Sequence, residues 1–302
     1  MKYTGLYRWG CGQLEEASVP DAGTDARLLL EWCCGTDRNT LLAHGDRAVS
    51  AAEHEKYREA VERRRSRIPL QYITGEQDFM GLTFQVNDSV LVPRQDTEIL
   101  VEEVLRNLHD GMRILDLCTG SGCILLSLLH YSNDCRGVGT DLSAGALQVA
   151  GRNADRILGG GTVSETCVMF VQGDLFAGLD QEEKFDIIVS NPPYIRTDVI
   201  DTLMPEVREY EPRMALDGRE DGLFFYRRIV AQAGGYLTGG GMLFLEIGYD
   251  QGEAVSRLME AAGYTQVEIF QDYAGNDRVV QGVYRHSQQY PRRGKNGNAQ
   301  TE

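Results

Sequence analysis

Residues 114–122 read Ile-Leu-Asp-Leu-Cys-Thr-Gly-Ser-Gly, so an apolar strand with a carboxylate near its end runs into a glycine-rich turn. Gly120 and Gly122 let the backbone approach a ligand closely, because glycine has no Cβ and adopts conformations that other residues avoid. Leu125 stands where the dinucleotide-binding fingerprint has its third glycine. Asp116 would also repel a pyrophosphate, and it suits a ligand with a cationic amino group. The stretch therefore predicts a ligand-binding turn that differs from the dinucleotide type.

From Arg113 onward, strand-like and helix-like segments alternate. The predicted strands are Arg113–Leu117, Gly137–Asp141, Cys167–Gln172, Phe185–Ser190, Met242–Ile247, Gln266–Phe270 and Arg278–Tyr284. Helices are predicted between most of these strands, at Cys123–Tyr131, Ala144–Ile157, Leu223–Ala233 and Gly252–Ala261, and one more is predicted ahead of the first strand, at about Asp96–Leu108. This alternation predicts an α/β fold with a mostly parallel sheet covered on both faces. The last two strands should pair antiparallel, because the link between them is too short for a parallel crossover.

Upstream of the turn, the chain divides into a helical part and a short extended part. Ser50 and Glu53 form a capping box, which opens a helix that runs through Arg67. The stretches 77–80 and 83–86 predict a hairpin. The sequence thus predicts a small helical domain that is joined to the sheet by an extended linker.

The charge is unevenly distributed. The chain carries a net charge of −15, and residues 86–284 alone carry −16. Because nucleic-acid affinity comes mostly from neutralised phosphates, we expect no direct binding of nucleic acid. The most basic spot is the cluster Arg63, Arg64, Arg65 and Arg67. Two interpretations of it stay open: a solvated helix end whose cations complement the helix dipole, or a contact for an anionic partner.

Several protein classes are disfavoured by composition. No apolar run reaches the length of about 18 residues that a membrane helix needs, and the first ten residues lack the apolar core of a secretory signal. The seven Cys and five His show neither a Cys-x-x-Cys pair nor zinc-like spacing. The sequence predicts a cytoplasmic protein with reduced thiols, no membrane segment and no metal site.

Two acidic residues follow predicted strands. Asp141 closes the strand after the glycine turn, where a carboxylate accepts hydrogen bonds from both hydroxyls of a ribose; the alternative is a helix cap. Asp174 follows the next strand and could accept the exocyclic amine of adenine, with Leu175 and Phe176 against the ring. The alternative for Asp174 is an ordinary turn residue.

The most informative motif is Asn-Pro-Pro-Tyr at residues 191–194, directly after the apolar strand that ends at Ser190. Two prolines in a row stiffen the segment and leave the Pro192 carbonyl free. The Asn191 side chain offers one acceptor and two donors. Two acceptors, Asn191 Oδ1 and the Pro192 carbonyl, can hold both hydrogens of a planar NH2 group, while Tyr194 supplies an aromatic face. This predicts chemistry on an amide or amino nitrogen.

Together these motifs resemble the class I S-adenosylmethionine-dependent methyltransferases that act on a planar nitrogen. Within that class the chain is similar to the HemK/PrmC family, which methylates the glutamine of the Gly-Gly-Gln loop in peptide chain release factors. The stretches that carry this closer resemblance are 69–75, 79–82, 90–98, 116–122, 191–194 and 274–278.

The resemblance implies S-adenosyl-L-methionine as cofactor and a release factor as protein partner. It places the cofactor contacts at Cys118, Thr119, Gly120, Ser121, Gly122, Asp141, Asp174, Leu175 and Asn191. It assigns the substrate glutamine to Asn191, Pro192, Pro193 and Tyr194, with catalytic roles for Asn191, Pro192 and Tyr194. Arg94 and Asp96 belong to the family's linker motif beside the cofactor. Gln95 and Cys118 depart from the family, which more often has Pro and Gly at these places.

The implied architecture is a Rossmann-like, mostly parallel seven-stranded sheet with a small N-terminal helical domain and a hairpin linker. Its four parts are an N-terminal helical substrate-recognition domain (1–73), the hairpin linker (74–95), the methyltransferase catalytic domain (96–285) and a disordered tail (286–302).

Two alternatives stay open at this stage. An adenine-N6 or guanine-N2 methyltransferase acting on nucleic acid would share the Asn-Pro-Pro-Tyr chemistry, although the acidic body disfavours it. A nucleotide-binding module without catalysis would bind NAD, although the missing third glycine disfavours that.

Overall fold

The computed structural model describes residues 1–159 and 167–285. Its N-terminal part consists of five helices: α1 (Tyr3–Glu16), α2 (Ala22–Cys34), α3 (Arg38–Ala43), α4 (Ala51–Arg65) and α5 (Leu70–Thr74). Their apolar side chains form a core of their own, which is drawn from residues 3–73. The predicted capping box is confirmed, since Ser50 Oγ accepts from Glu53 N and the Glu53 carboxylate accepts from Ser50 N.

A hairpin follows, with β1 (Glu76–Phe79) paired antiparallel to β2 (Leu82–Gln85). The two turn residues, Met80 and Gly81, both have positive φ, at 52° and 71°. Positive φ at both central residues matches the right-handed twist of the flanking strands. The predicted hairpin is confirmed.

The main sheet has seven strands, in the order β5-β4-β3-β6-β7-β9-β8. They are β3 (Arg113–Leu117), β4 (Arg136–Asp141), β5 (Val168–Gln172), β6 (Phe185–Ser190), β7 (Leu237–Glu246), β8 (Tyr264–Gln271) and β9 (Asp277–Tyr284). The first five strands in that order run parallel, while β9 pairs antiparallel with both β7 and β8. The predicted mostly parallel sheet and its antiparallel final pair are confirmed.

Helices cover both faces of the sheet. They are α6 (Asp96–Asn107), α7 (Cys123–His130), α8 (Ala144–Ile157), α9 (Thr197–Ile200), α10 (Phe224–Ala233) and α11 (Gly252–Ala261). Ile187 and Val189 of β6 pack into the core under α6 and α7, whereas Ile188 packs into the core under α10 and α11. Because successive strand side chains point to opposite faces, β6 is buried on both sides and reads as a continuous apolar run.

Most predicted bounds lie within one residue of the observed ones, and three differ by more. Strand β8 begins at Tyr264, two residues before the predicted Gln266. Helix α4 ends at Arg65, and Arg67 lies beyond it with a φ of 66°. Strand β7 begins at Leu237 instead of Met242. The sequence pattern missed its first residues because the glycines at 239–241 interrupt the apolar run within the strand. The predicted disordered tail, 286–302, lies outside the described residues. No helix in the described part of the chain is both long enough and apolar enough to cross a bilayer.

The basic cluster has an internal role that the sequence did not reveal. Arg64, whose side chain is 6% exposed, donates to Asp25 (2.7 Å) and to Glu206 (2.8 Å). Arg67 donates to both oxygens of Glu206, at 2.7 and 2.6 Å. Neither open interpretation holds for these two arginines, because they bind acids of their own chain. The N-terminal helices are thereby tied to a π-helical turn at Glu206–Tyr210.

Glu206→Gln should lower the free energy of unfolding by about 3 kcal/mol, because it leaves Arg64 and Arg67 without their shared carboxylate. Burial alone would raise the pKa of Glu206, but hydrogen bonds from Arg67 and Arg64 outweigh it and hold the pKa at about 2. The wild-type advantage should therefore be full above the ordinary value of 4.5 and disappear as the pH falls through 2.

Urea denaturation of both proteins between pH 7 and pH 3 measures this difference. Glu209→Gln in the same turn is the matched control, since Glu209 forms an exposed pair with Arg208 and should contribute less than about 0.5 kcal/mol. Equal stability losses in the two variants at pH 7 would contradict the assignment.

Candidate active site

A cavity of about 410 Å³ opens at the carboxyl ends of β3, β4, β5 and β6. The strand order reverses between β3 and β6, which is where open α/β sheets bind ligands, and the volume is typical of small-molecule sites. The sequence-predicted residues that line it are Cys118, Thr119, Gly120, Ser121, Asp141, Asp174, Leu175, Asn191 and Pro193. The fold thus brings together residues from four separate strand ends.

Three predicted site residues do not line this cavity: Gly122, Pro192 and Tyr194. Gly122 lies at the start of α7 with a φ of 79°, and a Cβ there would come within 3.0 Å of Leu126 Cδ1. Its absence of a side chain permits close packing of the helices. Pro192 is buried, and the Tyr194 carbonyl accepts from Gln251 Nε2 at 3.1 Å. The predicted ligand contacts of these three residues stay predictions.

Asp141 supports the glycine turn. Its Oδ2 accepts from Gly120 N at 2.9 Å and its Oδ1 from Ser143 N at 2.8 Å. Burial raises the pKa of Asp141, and these backbone donors oppose the rise. The alternative that Asp141 caps the next helix is wrong, because Ser143 Oγ accepts from Ala146 N and caps α8. The carboxylate therefore lies at the cavity wall with lone pairs to spare.

Asp116 does not line the cavity. It is fully buried beneath the turn, where its Oδ2 accepts from Thr119 Oγ1 at 2.6 Å. Burial raises its pKa to about 7. The expectation that this carboxylate faces a cationic ligand group was wrong, because Asp116 lies among the buried strand residues beneath the turn while Cys118–Ser121 form the wall.

The turn after β5 places Asp174 and Leu175 at the cavity. The Arg228 guanidinium donates two hydrogen bonds to the Asp174 carboxylate, at 3.0 and 2.9 Å. Leu175 is 4% exposed and lines the wall. Phe176 was expected on a ligand ring, but it stacks on Tyr236 with centroids 4.7 Å apart and belongs to the core.

Asn191 sits at the end of β6 with its amide partly fixed. Its Nδ2 donates to Thr97 Oγ1 at 3.3 Å. The preceding Ser190 donates through Oγ to the Leu117 carbonyl at 2.7 Å and ties the ends of β6 and β3 together. Because the amide nitrogen is engaged inside the protein, the amide oxygen remains as the acceptor for a ligand.

The cavity has two further walls, of which the sequence indicated only the linker, through the resemblance that places Arg94 beside the cofactor. One is the linker residues 89–94, and the other is the irregular segment 212–219, which contributes Arg213 and Met214. Arg94 Nη2 donates to Glu211 at 2.5 Å, and Glu211 is almost completely buried. Residues 212–219 have no helical or strand periodicity, so only their position after the Asn-Pro-Pro-Tyr motif could have marked them.

The N-terminal and central parts match known families separately. Residues 5–75 match the family described as PrmC N-terminal domain, and residues 94–206 match the family described as methyltransferase small domain. In the described part of the chain no group of His, Cys, Asp and Glu side chains could hold a metal ion. The sheet, the glycine turn and the acidic strand ends define a class I S-adenosylmethionine-dependent methyltransferase.

Curated relatives narrow the class. The release factor glutamine methyltransferase of Geobacter sulfurreducens is 44% identical over 91% of this chain and 94% of its own length, and that of Moorella thermoacetica is 45% identical over 88% and 93%. The chain belongs to the release factor glutamine methyltransferase family. A solved protein-(glutamine-N5) methyltransferase from Alicyclobacillus acidocaldarius, described as release factor-specific, is 29% identical; the match covers 67% of this chain and 100% of that chain, with a TM-score of 0.39.

Asp141→Asn should weaken S-adenosylmethionine binding by about 1.5–3 kcal/mol and lower the melting temperature as well. The asparagine keeps one acceptor but turns an NH2 group toward the amide of Gly120 or Ser143, so a buried donor loses its partner. Calorimetric titration and thermal melting measure the two effects. Asp134→Asn is the control, because Asp134 is exposed with a φ of 54°, a conformation that asparagine tolerates. Unchanged affinity in Asp141→Asn would exclude a role at the cavity.

Proposed function

We propose that this chain transfers a methyl group from S-adenosyl-L-methionine to the side-chain amide nitrogen of the glutamine in the Gly-Gly-Gln motif of peptide chain release factors. The observation that carries the proposal is the Asn191 side chain at the cavity wall, whose Nδ2 is engaged by Thr97 Oγ1 while no side chain in the described part of the protein occupies its Oδ1. An amide oxygen that faces a substrate NH2 group is the acceptor this reaction needs. The family supplies the identity of the substrate.

The cavity fits the methyl donor. The described residues that line the cavity include the carboxylates of Asp141, Asp174 and Asp217 as well as three arginines, Arg94, Arg213 and Arg219. The donor carries a ribose, an adenine, two cationic centres and a carboxylate. We assign the ribose hydroxyls to Asp141, the adenine amine to Asp174 and the ring face to Leu175. Asp174 keeps free lone pairs while it is bound to Arg228. Residues 118–122 bring backbone close to the ligand, because Cys118, Gly120 and Gly122 adopt positive φ.

When bound, S-adenosylmethionine supplies a sulfonium methyl group, which forms a bond to the glutamine nitrogen as its carbon–sulfur bond breaks and the amide proton is lost. Asn191 Oδ1 and the Pro192 carbonyl hold the two hydrogens of the glutamine NH2 group. This fixes the direction of attack, which is the main source of acceleration when a reaction needs alignment. The same two oxygens stabilise the positive charge that develops on nitrogen.

The amide proton leaves to solvent or to a carbonyl in this proposal. Among the described residues that line the cavity there is no histidine, and Asp141 and Asp174 are committed to Gly120, Ser143 and Arg228. Methyl transfer to the amide nitrogen gives an N-methylated amide cation, which is strongly acidic and loses its extra proton readily, so positioning matters more than a strong base.

The partner and location follow from the same proposal. In this proposal residues 1–73 recognise the release factor, residues 74–95 link that domain to the catalytic domain, and residues 96–285 catalyse the methyl transfer. Because residues 86–284 carry a net charge of −16, we propose that nucleic acid is not bound directly. Because release factors act on ribosomes, we propose that the enzyme works in the cytoplasm. A higher kcat/KM for an intact release factor than for a Gly-Gly-Gln peptide would measure recognition outside the loop.

The direct test is methylation of a purified release factor with radiolabelled S-adenosylmethionine. The label should appear in the wild-type factor and be absent when the motif glutamine is replaced by alanine. Duplex DNA and ribosomal RNA serve as competing acceptors in the same assay. Label in nucleic acid, or in the alanine variant of the factor, would contradict the proposal.

Asn191→Ala should lower the methylation rate roughly 10²- to 10³-fold, by analogy with the loss of one oxyanion-hole donor. S-adenosylmethionine affinity should change little, because Asp141, Asp174 and Leu175 keep their places at the cavity. Asn191→Asp keeps an acceptor and should retain more activity than the alanine variant. Single-turnover kinetics with a saturating release factor measures the rate, and a rate for Asn191→Ala within about threefold of wild type would refute this mechanism.

A further inference from the structure

Glu246 is a buried acid for which the mechanism above has no use. It ends β7, and its side chain is fully buried. Ser190 pairs with Leu245 across β6 and β7, so Asn191 and Glu246 lie side by side at the carboxyl ends of two parallel strands. Its Oε2 has no hydrogen-bond partner among the described residues. An isolated buried carboxylate is costly unless it serves neighbouring donors.

Those donors are Thr97 and Asn191. Thr97 is 2% exposed in the first turn of α6, and its Oγ1 accepts from Asn191 Nδ2. A hydroxyl that accepts one hydrogen bond still has its own hydrogen to donate. Burial raises the pKa of Glu246, and Thr97 and Asn191 oppose that rise because they offer hydrogen-bond donors to the carboxylate. Thr97 and Glu246 are buried behind Asn191, which is half-buried at the cavity wall.

We propose that Glu246 is a positioning residue: its carboxylate draws the Asn191 NH2 group and the Thr97 hydroxyl inward, and so keeps Asn191 Oδ1 turned toward the substrate amide. This inference rests on the proposed function. The two ends of an asparagine amide have nearly the same shape, so only the surrounding donors and acceptors decide which end faces the cavity. A carboxylate accepts only, and it therefore excludes the flipped amide.

The charged groups around Glu246 leave its own charge without a direct partner. Arg278 Nη2 binds Asp272 at 2.9 Å and Asp96 at 3.1 Å. Tyr226 donates to the backbone carbonyl of Glu246 at 2.9 Å. Tyr194 and Cys123 are further titratable neighbours, and the pKa of each is raised by burial and by Glu246. Arg278, in the stretch 274–278 that carries part of the family resemblance, thus supplies a positive charge near Glu246 without forming an ion pair with its carboxylate.

The protonation of Glu246 should therefore be visible in the rate. Burial raises its pKa to about 7, so the carboxylate is charged above that pH and neutral below it. A neutral carboxyl donates a hydrogen and tolerates the flipped amide. The wild-type kcat should fall as the pH drops through about 7.

Glu246→Gln tests the inference with the full-length enzyme and a release factor. At pH 8 its kcat should be about tenfold to a hundredfold lower, with S-adenosylmethionine affinity unchanged and the acid limb of the pH profile absent. In an Asn191→Ala background, Glu246→Gln should change kcat by less than about twofold, because it acts through Asn191. Glu103→Gln is the control, since Glu103 is a buried acid on the same helix as Thr97 that pairs with Arg106.

Three results would each overturn the inference without touching the proposed function. They are a wild-type kcat for Glu246→Gln at pH 8, a kcat for Glu246→Gln that still falls as the pH drops through about 7, and a loss of kcat in the Asn191→Ala background as large as the loss in wild type. Wild-type kcat in Asn191→Ala would instead refute the proposed function, and the inference with it. If Glu246→Gln does not fold, Thr97→Val and Thr97→Ser decide. The valine variant should lose at least about tenfold in kcat and the serine variant should stay near wild type; wild-type kcat in Thr97→Val would overturn the inference.

Discussion

The Asn191 amide has an acceptor at one end and donors at the other, and the fold determines which end faces the cavity. Asn191 follows β6, a strand buried between β3 and β7, so its backbone is fixed from both sides. Ser190 ties that strand end to Leu117, and two prolines follow directly. Neither proline has an N–H group, so the segment forms no competing backbone hydrogen bond there. In the proposed mechanism, the two oxygens that hold the substrate nitrogen therefore belong to a stiff segment.

The segment after the Asn-Pro-Pro-Tyr motif is held by two buried acids. Glu206 binds the N-terminal helices through Arg64 and Arg67, and Glu211 binds the linker through Arg94. Tyr210, between them, donates to the Ser66 carbonyl at 2.5 Å. This segment forms one wall of the cavity, so the N-terminal helices and the linker help to shape the entrance that a protein loop must pass. Arg94, which belongs to the family's linker motif, therefore has a structural role here, because its guanidinium pairs with the buried Glu211 carboxylate.

The sequence predicted the elements that local pattern determines. Apolar runs predicted β3 and β6, because parallel central strands are buried on both faces, and the short link at 272–276 predicted the antiparallel final pair. It missed what depends on distant partners. Arg64 and Arg67 looked like a surface cluster because their acid, Glu206, lies about 140 residues away in sequence. Asp116 was expected at the ligand, but only the three-dimensional turn shows that it lies beneath the wall.

The candidate site was predictable to a similar degree. Asp141, Asp174 and Asn191 follow strands, and the carboxyl ends of parallel strands meet at one edge of a sheet, so their convergence follows from the pattern. Thr97 and Glu246 could not be assigned from the sequence, since a threonine in a first helical turn and a glutamate after an apolar strand are both common. Their significance comes from the pairing of Ser190 with Leu245, which is a property of the register.

The central claim concerns which atoms hold the substrate amide. A crystal structure of the full-length enzyme with a release factor and S-adenosylhomocysteine tests it most directly. The account predicts the glutamine NH2 group within hydrogen-bond distance of both Asn191 Oδ1 and the Pro192 carbonyl, with Asn191 Nδ2 still turned toward Thr97. A glutamine amide bound elsewhere in the cavity, or an Asn191 amide turned with its nitrogen toward the substrate, would contradict it.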